Sequence, residues 1–176
     1  MSCKTQFLVA LATLPLFLAA RPIGTPADHF AGSPMAAPDF YLQLGDLLTA
    51  RYRYAAARMR YEMAADLDRI DGILPVEALR RIANTHYFEG EYAKARQRLV
   101  QLAAEASDAG EWETELWALA DAAWLADLAE DEASFELHLG QCEALLDTHN
   151  IPGARYKLRT LLRLDFRAFA PHLESW

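Results

Sequence analysis

At 176 residues the chain is long enough for one domain with a real core and too short for two comfortable ones. Seventeen Lys and Arg stand against 25 Asp and Glu, a formal net charge of −8. That excludes the basic footprint that a phosphate backbone requires, so no nucleic-acid partner is expected. Apolar residues make up 53%, rich in Ala and Leu with almost no β-branched runs, a composition that favours helix over strand.

Residues 1–20 open with a short polar head carrying Lys4, then run apolar from Phe7 to Ala20 apart from Thr13 and Pro15. About fourteen apolar residues behind a positive head have the form of a secretory signal, since a membrane span needs roughly 20. Residues 1–20 are therefore expected to be a signal peptide, cleaved after Ala20 or as late as Ala27, with an uncleaved anchor as the alternative. The mature chain is expected to be exported, periplasmic or secreted, and to keep no stable membrane span. Cleavage removes one basic residue, Lys4, and no acidic one, moving the net charge from −8 to −9. It also removes Cys3, leaving Cys142 without an internal disulfide partner. Residues 21–38 are proline-rich and read as a leader or linker.

From residue 39 the chain repeats itself at an offset of 38. Tyr41, Leu79 and Trp117 coincide, as do Leu44, Ile82 and Ala120, and Leu48, His86 and Trp124. In the second helix of each pair Ala57, Ala95 and Ala133 fall together, followed by Tyr61, Leu99 and Leu137. Large residues match large ones, and a small residue recurs where two helices approach closely. A fixed period of this kind marks stacked helical hairpins. The pattern predicts that Trp117 and Trp124 are core, and that Trp112 sits partly exposed at a corner.

Tyr41-x-x-Leu44-Gly45-x-x-Leu48 followed by Ala57-x-x-x-Tyr61 has the form aromatic-x-x-Leu-Gly and Ala-x-x-x-aromatic. The second copy repeats it through Gly90, Tyr92, Ala95 and Leu99. On these residues the chain resembles a tetratricopeptide-repeat protein. The third copy departs: Asp121 stands in place of the small residue, and Glu130 in place of the aromatic at Tyr54 and Tyr92. The period also exceeds the family's, which is about 34. Pro38, Pro75 and Pro152 stand at or just before helix starts, where a missing N–H costs nothing. The expected fold is all-α: three stacked antiparallel helical hairpins over residues 39–151, with a C-terminal capping helix in 152–176. That helix would bury Leu158, Leu161, Leu162 and Phe166.

The resemblance implies a concave groove lined by the first helix of each pair. Carried onto this chain it would use Leu42, Asp46, Arg80, Asn84, Tyr87, Ala118 and Ala122, with Tyr156, Thr160 and Arg163 added by the cap. Arg80-x-x-x-Asn84 resembles part of the family's carboxylate clamp, in which a guanidinium fork and an amide one turn on grip a carboxylate. The plain alternative is a solvated Arg beside an exposed Asn. Charge is unevenly spread: residues 104–154 hold 13 Asp and Glu and no Lys or Arg, whereas Arg155, Lys157, Arg159, Arg163 and Arg167 follow. Arg51, Arg53, Arg58 and Arg60 form another basic patch in the first repeat. Local pairing explains such a split, and so does a basic partner or a second copy of the chain.

No nucleophile elbow, zinc-protease helix, phosphate loop or dinucleotide fingerprint is present, so neither catalysis nor a cofactor is expected. Glu130, Asp131 and Glu132 read as a charged corner beside Ser134. His138 and Cys142 are spaced for two ligands on one helix face, with His149 nearby. Core packing for Cys142 and partial exposure for His138 are the simpler reading, and no metal is expected. The function this predicts is an exported protein–protein interaction scaffold whose groove takes a carboxylate-bearing or basic protein or peptide. A self-assembling structural repeat is the alternative, and an enzyme of unknown type stands behind both.

Overall fold

The computed structural model describes residues 37–164. The signal, nearly all of the leader, Phe166 and Arg167 lie outside these residues. Seven α-helices and no strand occur among the described residues: α1 Pro38–Thr49, α2 Tyr54–Ile70, α3 Val76–Phe88, α4 Tyr92–Ala109, α5 Trp112–Leu128, α6 Glu132–Thr148 and α7 Ala154–Leu161. None is long and apolar enough to cross a membrane. The chain is all-α, as its composition implies.

Each helix packs against its neighbours in sequence, α1 on α2, α2 on α3, and so on to α6, and α7 also packs against α5. Connections of a few residues force each such pair to run antiparallel. Pro38 is the first residue of α1, and Pro75 immediately precedes α3. Both use a fixed φ where a helix needs no donor.

The corners within the three hairpins turn at Tyr52, Gly90 and Glu130, each with a left-handed φ of 58°, 74° and 55°. Only Gly90 adopts it without a Cβ penalty. These positions are 38 and then 40 residues apart, so the third hairpin does not keep the offset read from the sequence. The reason is α5, which runs 17 residues where α3 runs 13. Phe135, 1% exposed, therefore occupies the position of Ala57 and Ala95, while Ala133 is exposed and Leu137 is 59% exposed. Trp117 and Trp124 pack against the core with part of each ring at the surface, and are not fully inside it. Trp112 is partly exposed and stacks on His149 at 4.2 Å between ring centroids.

The main core runs along the stack through Tyr61, Leu79, Ile82, Leu102, Leu116, Phe135 and Cys142. A smaller cluster holds Ala83, Ala95, Leu99, Ala122 and Leu125 together. The closing helix is shorter than the sequence pattern implies. Leu158 and Leu162 are buried and Leu161 half-buried, but α7 ends at Leu161 and Arg163 takes a left-handed φ of 52°.

Candidate interaction surface

Four helices, α1, α3, α5 and α7, carry the residues assigned to the groove. They are tied to one another by a row of polar contacts. Asp46 on α1 accepts a hydrogen bond from Arg81 Nε on α3 at 3.0 Å, and Arg81 Nη1 also reaches Glu77 at 3.0 Å. Arg80 Nη2 on α3 lies 4.0 Å from Asp121 Oδ2 on α5. Lys157 Nζ on α7 stands 5.7 Å over the ring of Trp117 on α5. Burial pushes the Asp121 carboxyl up to about 6, with the Arg80 guanidinium acting against the rise.

This row decides how the expected groove residues stand. Leu42 is buried, and Ala118 and Ala122 are completely so; all three are packing residues that offer a partner no surface. Asp46 is exposed but already accepts from Arg81 and from the Tyr61 hydroxyl at 2.8 Å. Arg80 faces Asp121, and its Nε is buried without a hydrogen-bond acceptor among the described residues. A partner's carboxylate would have to displace Asp121 to use it. Asn84 and Tyr87 are half-buried on α3. Tyr156 and Thr160 are exposed on α7, where the Thr160 hydroxyl donates to the Tyr156 carbonyl, and Arg163 is exposed just beyond.

Tyr87 belongs to a different feature, one that spans all three hairpins. Tyr52 meets Tyr54 edge-on at 6.3 Å between centroids, and Tyr54 stacks on Phe88 at 6.0 Å. Phe88 touches Tyr87 at 5.6 Å, and Tyr87 reaches both Tyr92 at 5.9 Å and Trp124 at 5.5 Å. The rings form one connected strip along the corner edge of the stack. Tyr52 is 81% and Phe88 54% exposed, so the strip is open to solvent at its first and middle corners. Beside it Gly90, Tyr92, Lys94, Leu128 and Glu130 border a shallow hollow of about 460 Å³.

Ion pairs fix the middle corner beneath the rings. Arg58 on α2 bonds Glu89, and also reaches the Thr85 hydroxyl at 3.4 Å. The buried His86 places Nδ1 2.7 Å from Glu91 Oε2, while Lys94 donates to the other Glu91 oxygen at 2.6 Å. Hydrogen bonds from Lys94 and His86 hold the Glu91 carboxyl below its usual range. His86, Glu89 and Glu91 bring potential ligand atoms within 4.8 Å of one another. Glu89 is already engaged by Arg58, Glu91 by Lys94 and His86, and His86 by Glu91, so the trio acts as a corner clamp.

No family model, curated protein or solved structure matches the chain.

The His138, Cys142 and His149 group does not assemble. His138 is buried, against the expected partial exposure, with Nδ1 2.9 Å from Gln141 Oε1. Cys142 is fully buried, its Sγ 3.7 Å from the Leu116 carbonyl, and His149 is stacked on Trp112. The charged corner is as expected: Asp131 caps α6 by accepting from the Ser134 N–H at 3.1 Å, and takes Arg96 Nη1 at 2.6 Å. The repeat register alone does not point to the aromatic strip, although its signal stands in the sequence. "YRY" at 52–54 and "HYFEGEY" at 86–92 place five rings beside two corners one period apart.

Proposed function

We propose that the chain is an exported, tetratricopeptide-like protein–protein interaction module whose partner docks on the aromatic corner edge. The observation that carries this is the connected strip from Tyr52 through Tyr54, Phe88 and Tyr87 to Trp124, with Tyr52 and Phe88 largely exposed. Large aromatic side chains supply most of the energy at protein interfaces, and rings held by one another lose little freedom when covered. The corner ion pairs hold Phe88 and Tyr87 in place. Arg51 and Arg53, exposed on either side of Tyr52, favour a protein segment that presents apolar side chains beside carboxylates.

This reading keeps the partner class expected from the sequence and moves it from the inner face to the edge. Arg80 and Asp46 then serve the stack, each holding a neighbouring helix.

The test is capture from native cell envelope with the full chain as bait, beside two doubly substituted baits, Tyr52→Ser with Phe88→Ser and Arg80→Glu with Asn84→Ala. A protein retained by wild type and by the second bait, but lost with the first, supports docking on the edge. Loss with the second bait alone returns the site to the inner face. Recovery of an untagged copy of the chain alone would favour self-assembly.

A further inference from the structure

Helices α4 and α6 stand on either side of α5 and leave a trough of about 540 Å³ between them. Val100 and Ala103 form one wall, Ala144 and Leu145 the other, and Leu119 and Glu115 of α5 lie between. The trough is separate from both the aromatic edge and the Arg80 face. One oxygen of Glu115, Oε2, is buried with no hydrogen-bond partner among the described residues. A buried acceptor left unpaired costs free energy, which the Glu115 carboxylate recovers by turning toward a donor seated in the trough.

Among the described residues that border the trough there is no Lys or Arg. No Lys or Arg occurs from residue 99 to 154. The flanking ones are in use: Arg98 pairs with Glu62 at 2.7 Å and Arg155 with Asp147 at 2.5 Å. Asp108 also borders the trough, which makes it acidic as well as apolar.

We infer that this trough is a second docking site, and that its occupant is a short amphipathic helix of another protein that presents one Arg or Lys to Glu115. The walls argue for a helix. The lining covers residues 100–108 of α4 and 141–148 of α6, about 12 Å or two helical turns. Alanines at 103, 104 and 144 let a third helix settle close between them. Charge complementarity sets the occupant's sign: an acidic trough with an unpaired carboxylate oxygen selects a cation and rejects an anion.

The experiment uses the full chain and a synthetic amphipathic peptide of about four helical turns, with Ala and Leu on one face and one Arg at its centre. A second peptide replaces that Arg with citrulline, which keeps the shape and loses the charge. Fluorescence anisotropy is expected to show saturable binding of the Arg peptide, weakened roughly tenfold or more by citrulline or by Glu115→Gln, with no further loss when the two are combined. Ala144→Trp, at an exposed position on the wall, should fill the trough and abolish binding while leaving the thermal melt in place. Tyr52→Ser with Phe88→Ser should bind the peptide as wild type does, which separates this site from the aromatic edge. Equal affinity for the two peptides, binding that survives Ala144→Trp, or no saturable binding of either peptide would overturn the inference.

Discussion

The backbone of Gly45 lies directly against the ring of Tyr61: a Cβ added at residue 45 would stand 2.6 Å from Cδ1 and 2.7 Å from Cζ. The ring cannot easily yield. It is buried, its hydroxyl donates to Asp46 Oδ1 at 2.8 Å, and the same hydroxyl hydrogen-bonds the Thr49 hydroxyl at 3.1 Å. Burial raises the phenol well above its usual range, so it stays neutral. Gly45→Ala is expected to cost about 1–3 kcal/mol by overpacking, read from urea denaturation. One period on, Ala83 and Leu99 stand at the same two positions in one cluster. Adding Tyr61→Leu to Gly45→Ala should therefore recover part of the loss. A Gly45→Ala variant as stable as wild type would show that α1 and α2 separate readily.

The third hairpin gives the second prediction. Phe135→Ala should cost about 3–5 kcal/mol, because Phe135 is 1% exposed at the position of Ala57 and Ala95. Leu137→Ala, at a side chain 59% exposed, should stay within about 0.5 kcal/mol. Denaturation of both variants checks it, and the reverse order would restore the uniform period of 38.

The same pair shows what was legible in the sequence. Helix count, the hairpin arrangement and the first two copies could be read because Gly45, Ala57, Ala83 and Ala95 recur where backbones meet. The third copy departs from the period because Ala133 completes the series only by composition, in a chain full of alanine, while Phe135 takes the buried position. The longer α5 shifts the corner by two residues, and no local signal in the helix itself announces that. The site was less legible still. Arg80 and Asn84 can be placed on one helix by spacing, but the acceptor that engages Arg80 lies 41 residues further on, at Asp121. Only the stacking of the second hairpin on the third brings them together.

Cys142 gives a third prediction. Burial pushes its thiol up to about 12, and the thiolate is the reactive form. A disulfide reagent should modify it slowly in the native protein and rapidly in urea. Fast native labelling would mean that α6 opens locally far more often than its packing implies.

Asp131 is the fourth. Its carboxyl is held down to about 2, first by the Ser134 hydrogen bonds that cap α6 and then by Arg96. A depressed carboxyl stabilises the fold above its unfolded value and loses that contribution as pH falls towards 2. Arg96→Gln should raise the value measured by NMR titration while leaving it below the ordinary aspartate range, since the cap remains. A complete return to the ordinary value would assign the whole effect to Arg96.

Asp121 reverses the sign. Its side chain is 17% exposed, and burial raises it from 3.8 to about 6 despite Arg80. Between those values the folded state holds a proton that the unfolded chain has released. Stability from this group is therefore complete below pH 4 and is lost as pH rises through 6, by about 3 kcal/mol in all. Asp121→Asn removes the titration. Its absolute stability also reflects the lost partner of Arg80, a constant offset, so the informative quantity is the difference between the two proteins across pH. Wild type should lose ground to Asp121→Asn from pH 4 to pH 7 in urea denaturation, and most steeply near pH 5, midway between the two values. Parallel curves would mean that Asp121 keeps its ordinary acidity, that water reaches it freely, and that Arg80 can turn to an incoming carboxylate as the clamp reading requires.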